Sequence, residues 1–412
     1  MLERKFQKHK IENYIVFCFM IPIMNGYISE LLKTVNSNVN FSIFVYIVMY
    51  IFSIYIYLIT LINYPFKFVL TFSFILMAFI LSFLFNSDTI KYAFNITNNS
   101  LAELAKSNFI IFFGLNLPIF LLFFYHIDYE YLFNIFSKFG FITLILFIVV
   151  NILENFIFHT FTNYMTIAYD SIISICIVFS YGIKKHKIFY IMLSIFATGF
   201  IILGGSRGAA LTIIVFFSLY FLFYRKLSIK KIIFSLIMLL IILVGLNYIS
   251  ELTEFLSKKL NEHGYSSRLI NILLGQEGGL NHYGDRYVIQ KILLNSINIF
   301  GYGIYGDKVL TLGSYAHNFF LEITIQYGLI ISLCFTIFLI HLIVHIVKIA
   351  KINYYIKIWT LIFFSIFFIK YMFSASYLLN MDFWLLFGIL CNINQYKKTN
   401  IIDENLLQKL NR

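Results

Sequence analysis

Runs of apolar side chains recur along most of this chain, each long enough to cross a bilayer. A spanning helix needs about 20 mainly apolar residues. Runs of that kind lie near 14–33, 41–63, 66–86, 108–126, 138–158, 162–183, 187–205, 208–224, 230–249, 319–347, 355–376 and 380–395. No water-soluble fold could cover them, because 60% of the residues are hydrophobic and 12% are charged, against about 25% charged in a soluble domain. A cytosolic enzyme, a disordered chain and a secreted disulfide scaffold are thereby excluded. In lipid every backbone polar group must be paired within the chain, which leaves helices or a closed barrel, and runs of this length are helical. The expected fold is all-α: a polytopic membrane protein of about twelve transmembrane helices, with ten to twelve as the range. Pro22, Asn25 and Glu30 interrupt the first run. No small-residue cleavage site follows it, so it reads as a retained helix.

The net charge of +12 suggests an acidic partner until the charges are placed. Lys and Arg in short loops favour the cytoplasm. With an internal N-terminus, the inner segments carry 20 basic and six acidic residues, and the rest of the chain carries 11 basic and 13 acidic. The basic excess is thus an orientation signal that meets anionic headgroups. Nucleic acid is not an expected partner; the lipid bilayer is. Both termini fall inside, and the divisions are 1–249 (helices 1–9), 250–318 (a large extracytoplasmic loop with short helices), 319–395 (helices 10–12) and a cytoplasmic tail, 396–412. The four cysteines, Cys18, Cys176, Cys334 and Cys391, lie within apolar runs and without metal-ligand spacing, so neither a disulfide nor a metal site is expected.

The charge-balanced segment 250–318 is where chemistry is expected, since a long loop between spans is usually functional or a linker. It carries Arg268, Arg286, a Gly301-Tyr302-Gly303 turn and His317. The same face receives Gly204-Gly205-Ser206-Arg207-Gly208. Arg207 can be read as a snorkelling anchor or as part of an anion site, with Ser206 capping a helix N-terminus that favours negative charge. His317 can be an interfacial histidine bonded to backbone or a general base near neutral pH. Glu322 follows five residues later, too far round a helix to claim a dyad. Glu154, Asp170, Lys370 and Asp382 are ionisable groups in or near spans, where such groups default to function. All four fall near outer helix ends, where partial hydration would also explain them.

Taken in order, Ser206-Arg207-Gly208, then Arg286 with Gly301-Tyr302-Gly303, then His317-Asn318 with Glu322 and Gly328 resemble the bacterial O-antigen polymerase and O-antigen ligase family. The resemblance runs from about residue 200 to 335; the N-terminal half matches only as a stack of spans. Many members carry a Trp a few residues after the loop Arg, where this chain has Gln290, and Arg268 competes with Arg286 for that role. The resemblance implies a cofactor-free, metal-independent glycosyltransferase of the bacterial cytoplasmic membrane. Its donor would be an oligosaccharide on undecaprenyl diphosphate, its site would face outward, and a chain-length regulator is a candidate partner.

Residue chemistry points the same way. Arginine forks bind phosphate oxygens bidentately, so Arg207 and Arg286 can take the leaving diphosphate, and His317 can take the proton of a sugar hydroxyl. These three are the expected catalytic residues; Arg268, Ser206, Asn318, Glu322 and Asp170 are the expected substrate-binding ones. The expected function is a membrane polysaccharide polymerase of the O-antigen or capsule type; a ligase acting on lipopolysaccharide core and a lipid-linked-oligosaccharide transporter are the alternatives. The transporter would call for internal repeats and midplane binding groups, which the sequence does not display.

Overall fold

A computed structural model describes residues 9–34, 41–94, 107–153, 164–203, 206–224, 285–350 and 353–393. Among the described residues every regular element is helical: α1 (Lys10–Thr34), α2 (Phe41–Asn63), α3 (Pro65–Phe85), α4 (Asp88–Phe94), α5 (Asn108–Leu122), α6 (Tyr129–Ile152), α7 (Tyr164–Lys185), α8 (Ile188–Leu203), α9 (Arg207–Tyr224), α10 (Asp285–Asn295), α11 (Gly306–Leu310), α12 (Phe319–Ala350), α13 (Tyr354–Ile366) and α14 (Met381–Ile393). Seven are long and apolar enough to cross a membrane, and α5, α8, α9 and α14 are shorter apolar helices. Together these correspond to eleven of the twelve expected runs; the run at 230–249 lies outside the described residues. The chain is an all-α, integral membrane protein.

One boundary differs from expectation by nine residues. Helix α6 starts at Tyr129 rather than 138, because the Asp128 carboxylate accepts the backbone N–H groups of Glu130 and Tyr131 at 3.1 Å. Lys138, expected in a loop, therefore stands exposed on the helix, where its stem can lie along apolar surface and its ammonium can reach headgroups.

Helix α7 is the axis of the described bundle, packed against α6, α8 and α9. Gly140 of α6 lets the two backbones close up, since a Cβ there would stand 3.2 Å from Val178. Thr143 Oγ1 and Ser174 Oγ hydrogen-bond across the gap at 2.8 Å, a small-residue and hydroxyl contact of the kind that joins helices in lipid. The faces of α3 and α12 carry large exposed apolar residues, such as Phe74, Leu84, Ile330 and Leu333, as lipid-facing helices should. The basic residues gather at one end: Lys184 lies 3.5 Å from the Tyr355 ring centre, and Lys357 donates to Phe223 O at 3.2 Å. The opposite end, where α9 and α12 begin and α13 finishes, carries residues 285–318.

Candidate active site

Gly328 breaks α12. Its φ of +83° and ψ of 168° are non-helical, in a region that is essentially glycine-only. The break frees backbone groups, and the loop at 298–303 takes them. Leu329 N–H donates to Asn298 O at 3.0 Å, while Tyr302 and Gly303 N–H groups donate to Ile325 O and Gln326 O at 2.8 and 2.9 Å. Gly301 and Gly303 also have positive φ, and a Cβ on Gly301 would stand 2.5 Å from Gln326 O. Ser82 Oγ of α3 accepts from Ile304 N–H at 2.8 Å, so the loop is pinned to the N-terminal half as well.

On this base sits α10. Its Ile289 and Leu293, one helical turn apart, bury against Ala316 and Ile325. That packing sends Arg286 across to the turn that follows α13, where its guanidinium donates to Phe373 O at 3.2 Å. Tyr315 OH donates to the next carbonyl, Ser374 O, at 2.6 Å. Two residues on, Ser376 Oγ donates to Glu322 Oε1. A Cβ on Gly208 would lie 3.4 Å from Ser374 Oγ and 2.0 Å from Tyr169 OH. The turn 373–376 thus gathers the loop arginine, the start of α12, the start of α9 and Tyr169 of α7.

His317 stands beside this turn. Its φ of +54° is left-handed, which redirects the chain so that Asn318 can cap α12: Asn318 Oδ1 accepts Leu321 N–H at 3.1 Å. The His317 ring centre is 4.0 Å from that of Tyr315. Burial first, and the neighbouring Arg286 charge second, lower its pKa from 6.5 to about 4. It is therefore a neutral base across the physiological range, not a group poised near neutrality. Burial raises the Tyr315 phenol against the opposing pull of Arg286. Behind them, Asp307 accepts Gln326 Nε2 at 2.9 Å and Ala316 N–H at 3.1 Å, and its burial pushes its carboxyl upward.

Several expected residues fall elsewhere than expected. Ser206 does not cap α9 with its hydroxyl: its carbonyl accepts Ala210 N–H at 3.0 Å, while its Oγ is buried without a partner among the described residues. Asn318 uses its side chain in the α12 cap. Glu322 faces inward, with Oε1 bonded to Ser376 and Oε2 without a partner among the described residues. Lys370 and Asp382 are not wet helix ends. They form a buried pair at 2.7 Å, with Tyr371 OH donating to the other Asp382 oxygen at 2.6 Å. Asp170 lies in the field of that pair, next to the gathered residues rather than among them. Arg207 opens α9, and its side chain lies outside the described part, as do Arg268 and Glu154. Tyr169, Tyr315 and the turn 373–376 had no motif to mark them. Among the described residues no group of three or more His, Cys, Asp or Glu forms a metal-ligand set.

An apolar cavity of about 940 Å³ adjoins the loop, walled by α3, α12 and α14 and roofed by residues 300–304. Gln326, Tyr327 and Tyr377 give it a polar edge; Tyr377 OH donates to Gln326 Oε1 at 2.7 Å, which links the edge to the Asp307 and Glu322 carboxylates.

Residues 190–336 match the family model described as O-Antigen ligase. That stretch runs from α8 through α9 and the loop to the break in α12, so it contains both arginines and His317. The match covers about a third of the chain and is consistent with a likeness to the O-antigen polymerase and ligase family, whose members transfer glycosyl groups and act on lipid-linked glycans. No curated protein matches the chain. No solved structure matches it either.

Proposed function

We propose that the protein is a polysaccharide polymerase of the O-antigen or capsule type, working at the outer face of the bacterial cytoplasmic membrane. It transfers a glycan from undecaprenyl diphosphate to the non-reducing-end hydroxyl of another lipid-linked repeat unit. The observation that carries this reading is the docking of Arg286 and Tyr315 on consecutive carbonyls beside His317, at the end of the bundle where Arg207 opens α9. Arg286 spends one of its five N–H donors on Phe373 O and is otherwise exposed, so among the described residues the rest of its fork is open to phosphate oxygens.

In the reaction the acceptor oxygen attacks the anomeric carbon. The bond to the diphosphate breaks, and its electron pair leaves on the phosphate oxygen that Arg286 and Arg207 stabilise, without a metal. The acceptor proton passes to His317. A diphosphate against Arg286 offsets the charge that depresses His317, so donor binding strengthens the base. The apolar cavity beside the loop suits the isoprenoid portion of a substrate.

Deleting the gene and separating the glycan by gel tests the reading. A single repeat unit on the final acceptor identifies a polymerase, long polymer stranded on the lipid carrier a ligase, and neither change refutes both. Arg286→Ala, Arg207→Ala and His317→Ala should each abolish polymer at normal protein level, the base by about 10²–10⁴-fold; polymer persisting in one variant removes that residue from the mechanism.

A further inference from the structure

Tyr169 belongs to no motif, yet its hydroxyl lies where the motifs meet. It is buried and has no hydrogen-bond partner among the described residues, which leaves a polar group desolvated without compensation unless a ligand fills the place. It rests on Gly208, where a Cβ would stand 2.0 Å away, and it neighbours Tyr315, which also interacts with Arg286 and Glu322. Two residues before Gly208, the Ser206 hydroxyl is in the same condition: 2% exposed, with no partner. Nδ1 of His317 is a further buried polar atom without a partner among the described residues. The first N–H groups of α9, an 18-residue helix, have no acceptors within the helix. Two buried hydroxyls without partners among the described residues therefore adjoin one helix start, Tyr169 against Gly208 and Ser206 two residues before it.

The Tyr169 ring is held in place from below. Lys370 Nζ lies 5.2 Å from its centre, and Asp382 anchors Lys370 at 2.7 Å. The lysine contact fixes the ring, and the helix N-terminus beside the hydroxyl favours a negatively charged guest.

We propose that Tyr169 and Ser206 form a two-hydroxyl donor site for a diphosphate oxygen, on the side of the leaving group opposite Arg286. The inference rests on the diphosphate-linked donor proposed above and adds ligands to it. It also gives Gly208 a reason: a side chain at 208 would push the Tyr169 hydroxyl out of the site.

The test is calorimetric binding of inorganic pyrophosphate, and separately of farnesyl diphosphate, to the full-length protein in detergent. Both should bind the wild type. Tyr169→Phe, which keeps the ring and its lysine contact, should weaken both by about tenfold or more, as the loss of a hydrogen bond to a charged group does. Ser206→Ala should act in the same direction, as should Gly208→Ala, which displaces the hydroxyl without deleting it. The thermal midpoint of ligand-free Tyr169→Phe should not fall below the wild-type value, which separates a ligand role from a structural one. Farnesyl diphosphate binding alone would still support the site and would assign it to the lipid-linked form. Affinity of Tyr169→Phe within twofold of wild type overturns the inference, and so does a wild type that binds neither probe. The functional reading fails separately. Tyr169-dependent binding by a protein whose deletion leaves the polymer unchanged refutes the polymerase. Polymer that needs Arg286 and His317 but is indifferent to Tyr169→Phe refutes only the donor site.

Discussion

Replacing Gly328 by alanine should detach the loop that carries the site from the helix beneath it. The native backbone there swaps partners. In an unbroken helix Ile325 O and Gln326 O would accept the N–H groups of residues 329 and 330. Instead they accept Tyr302 and Gly303, and Leu329 turns to Asn298 O. An alanine Cβ would stand 2.0 Å from Ile299 O, on a backbone with φ +83°. Holding a side chain in that region costs about 1–3 kcal/mol, and the contact with Ile299 O forces the loop away. Three backbone hydrogen bonds at about 1 kcal/mol each go with it. The docking loses about 4–6 kcal/mol, and each 1.4 kcal/mol is tenfold, so exchange of the Tyr302, Gly303 and Leu329 amides should quicken by about 10³-fold or more. Hydrogen–deuterium exchange in nanodiscs measures this directly, with amides in the middle of α6 as the internal standard. Polymer should be lost in parallel, because Tyr315 and His317 are placed through that loop. Protection of Tyr302 and Gly303 within tenfold of wild type, in a variant shown to be folded, would refute the partner-swap account.

Two further expectations concern charge. Below the pKa of His317 the ring is protonated and is no longer a base, so activity must fall as the pH drops through that value. With the free-protein value at about 4, the acid limb of kcat/KM should lie near pH 4–5; a limb at the ordinary histidine value of about 6.5 would show that Arg286 and burial do not act on it. The kcat limb should lie higher, because a bound anion offsets Arg286. Lys370→Met should leave Asp382 buried and unpaired with Asp170 nearby, at a cost of about 3–5 kcal/mol seen as a lower thermal midpoint in detergent. Lys370→Met combined with Asp382→Leu should recover most of that loss, and a double variant no more stable than the single one would contradict the pairing.

The bundle was legible because lipid leaves few solutions to a run of twenty apolar residues. Eleven runs reappear as helices, with α2, α3 and α12 starting within two residues of where hydropathy places them. The errors have local causes. Hydropathy put the start of α6 at 138 because Lys138 looked like a loop residue, and it cannot see that the Asp128 side chain caps a helix at 129. The break in α12 was invisible for a different reason. Gly328 was noted as a motif residue, but a glycine inside an apolar run is compatible with a continuous span until the loop that replaces its hydrogen bonds is known.

The site was legible where chemistry sits in the sequence as charge. Arg286 and His317 do come together, and the spacing between them is spent on the rest of α10, the short helix α11 and two glycine turns. What sequence could not supply was the surface they meet on. Phe373 O and Ser374 O are backbone acceptors, identical at every residue, and only the end of α13 makes them available. That helix ends in a π-helical stretch, Phe367–Tyr371, which carries Lys370 inward to Asp382 and leaves residues 373–376 as an open turn. The insertion that makes a π-helix is commonly kept where it re-aims a functional side chain, and here the side chain is a lysine under the Tyr169 ring. The buried pair and the open turn are thus two outcomes of one backbone feature. Straightening α13 should disturb the ion pair, the Tyr169 contact and the Arg286 dock together, although no motif connects them in the sequence.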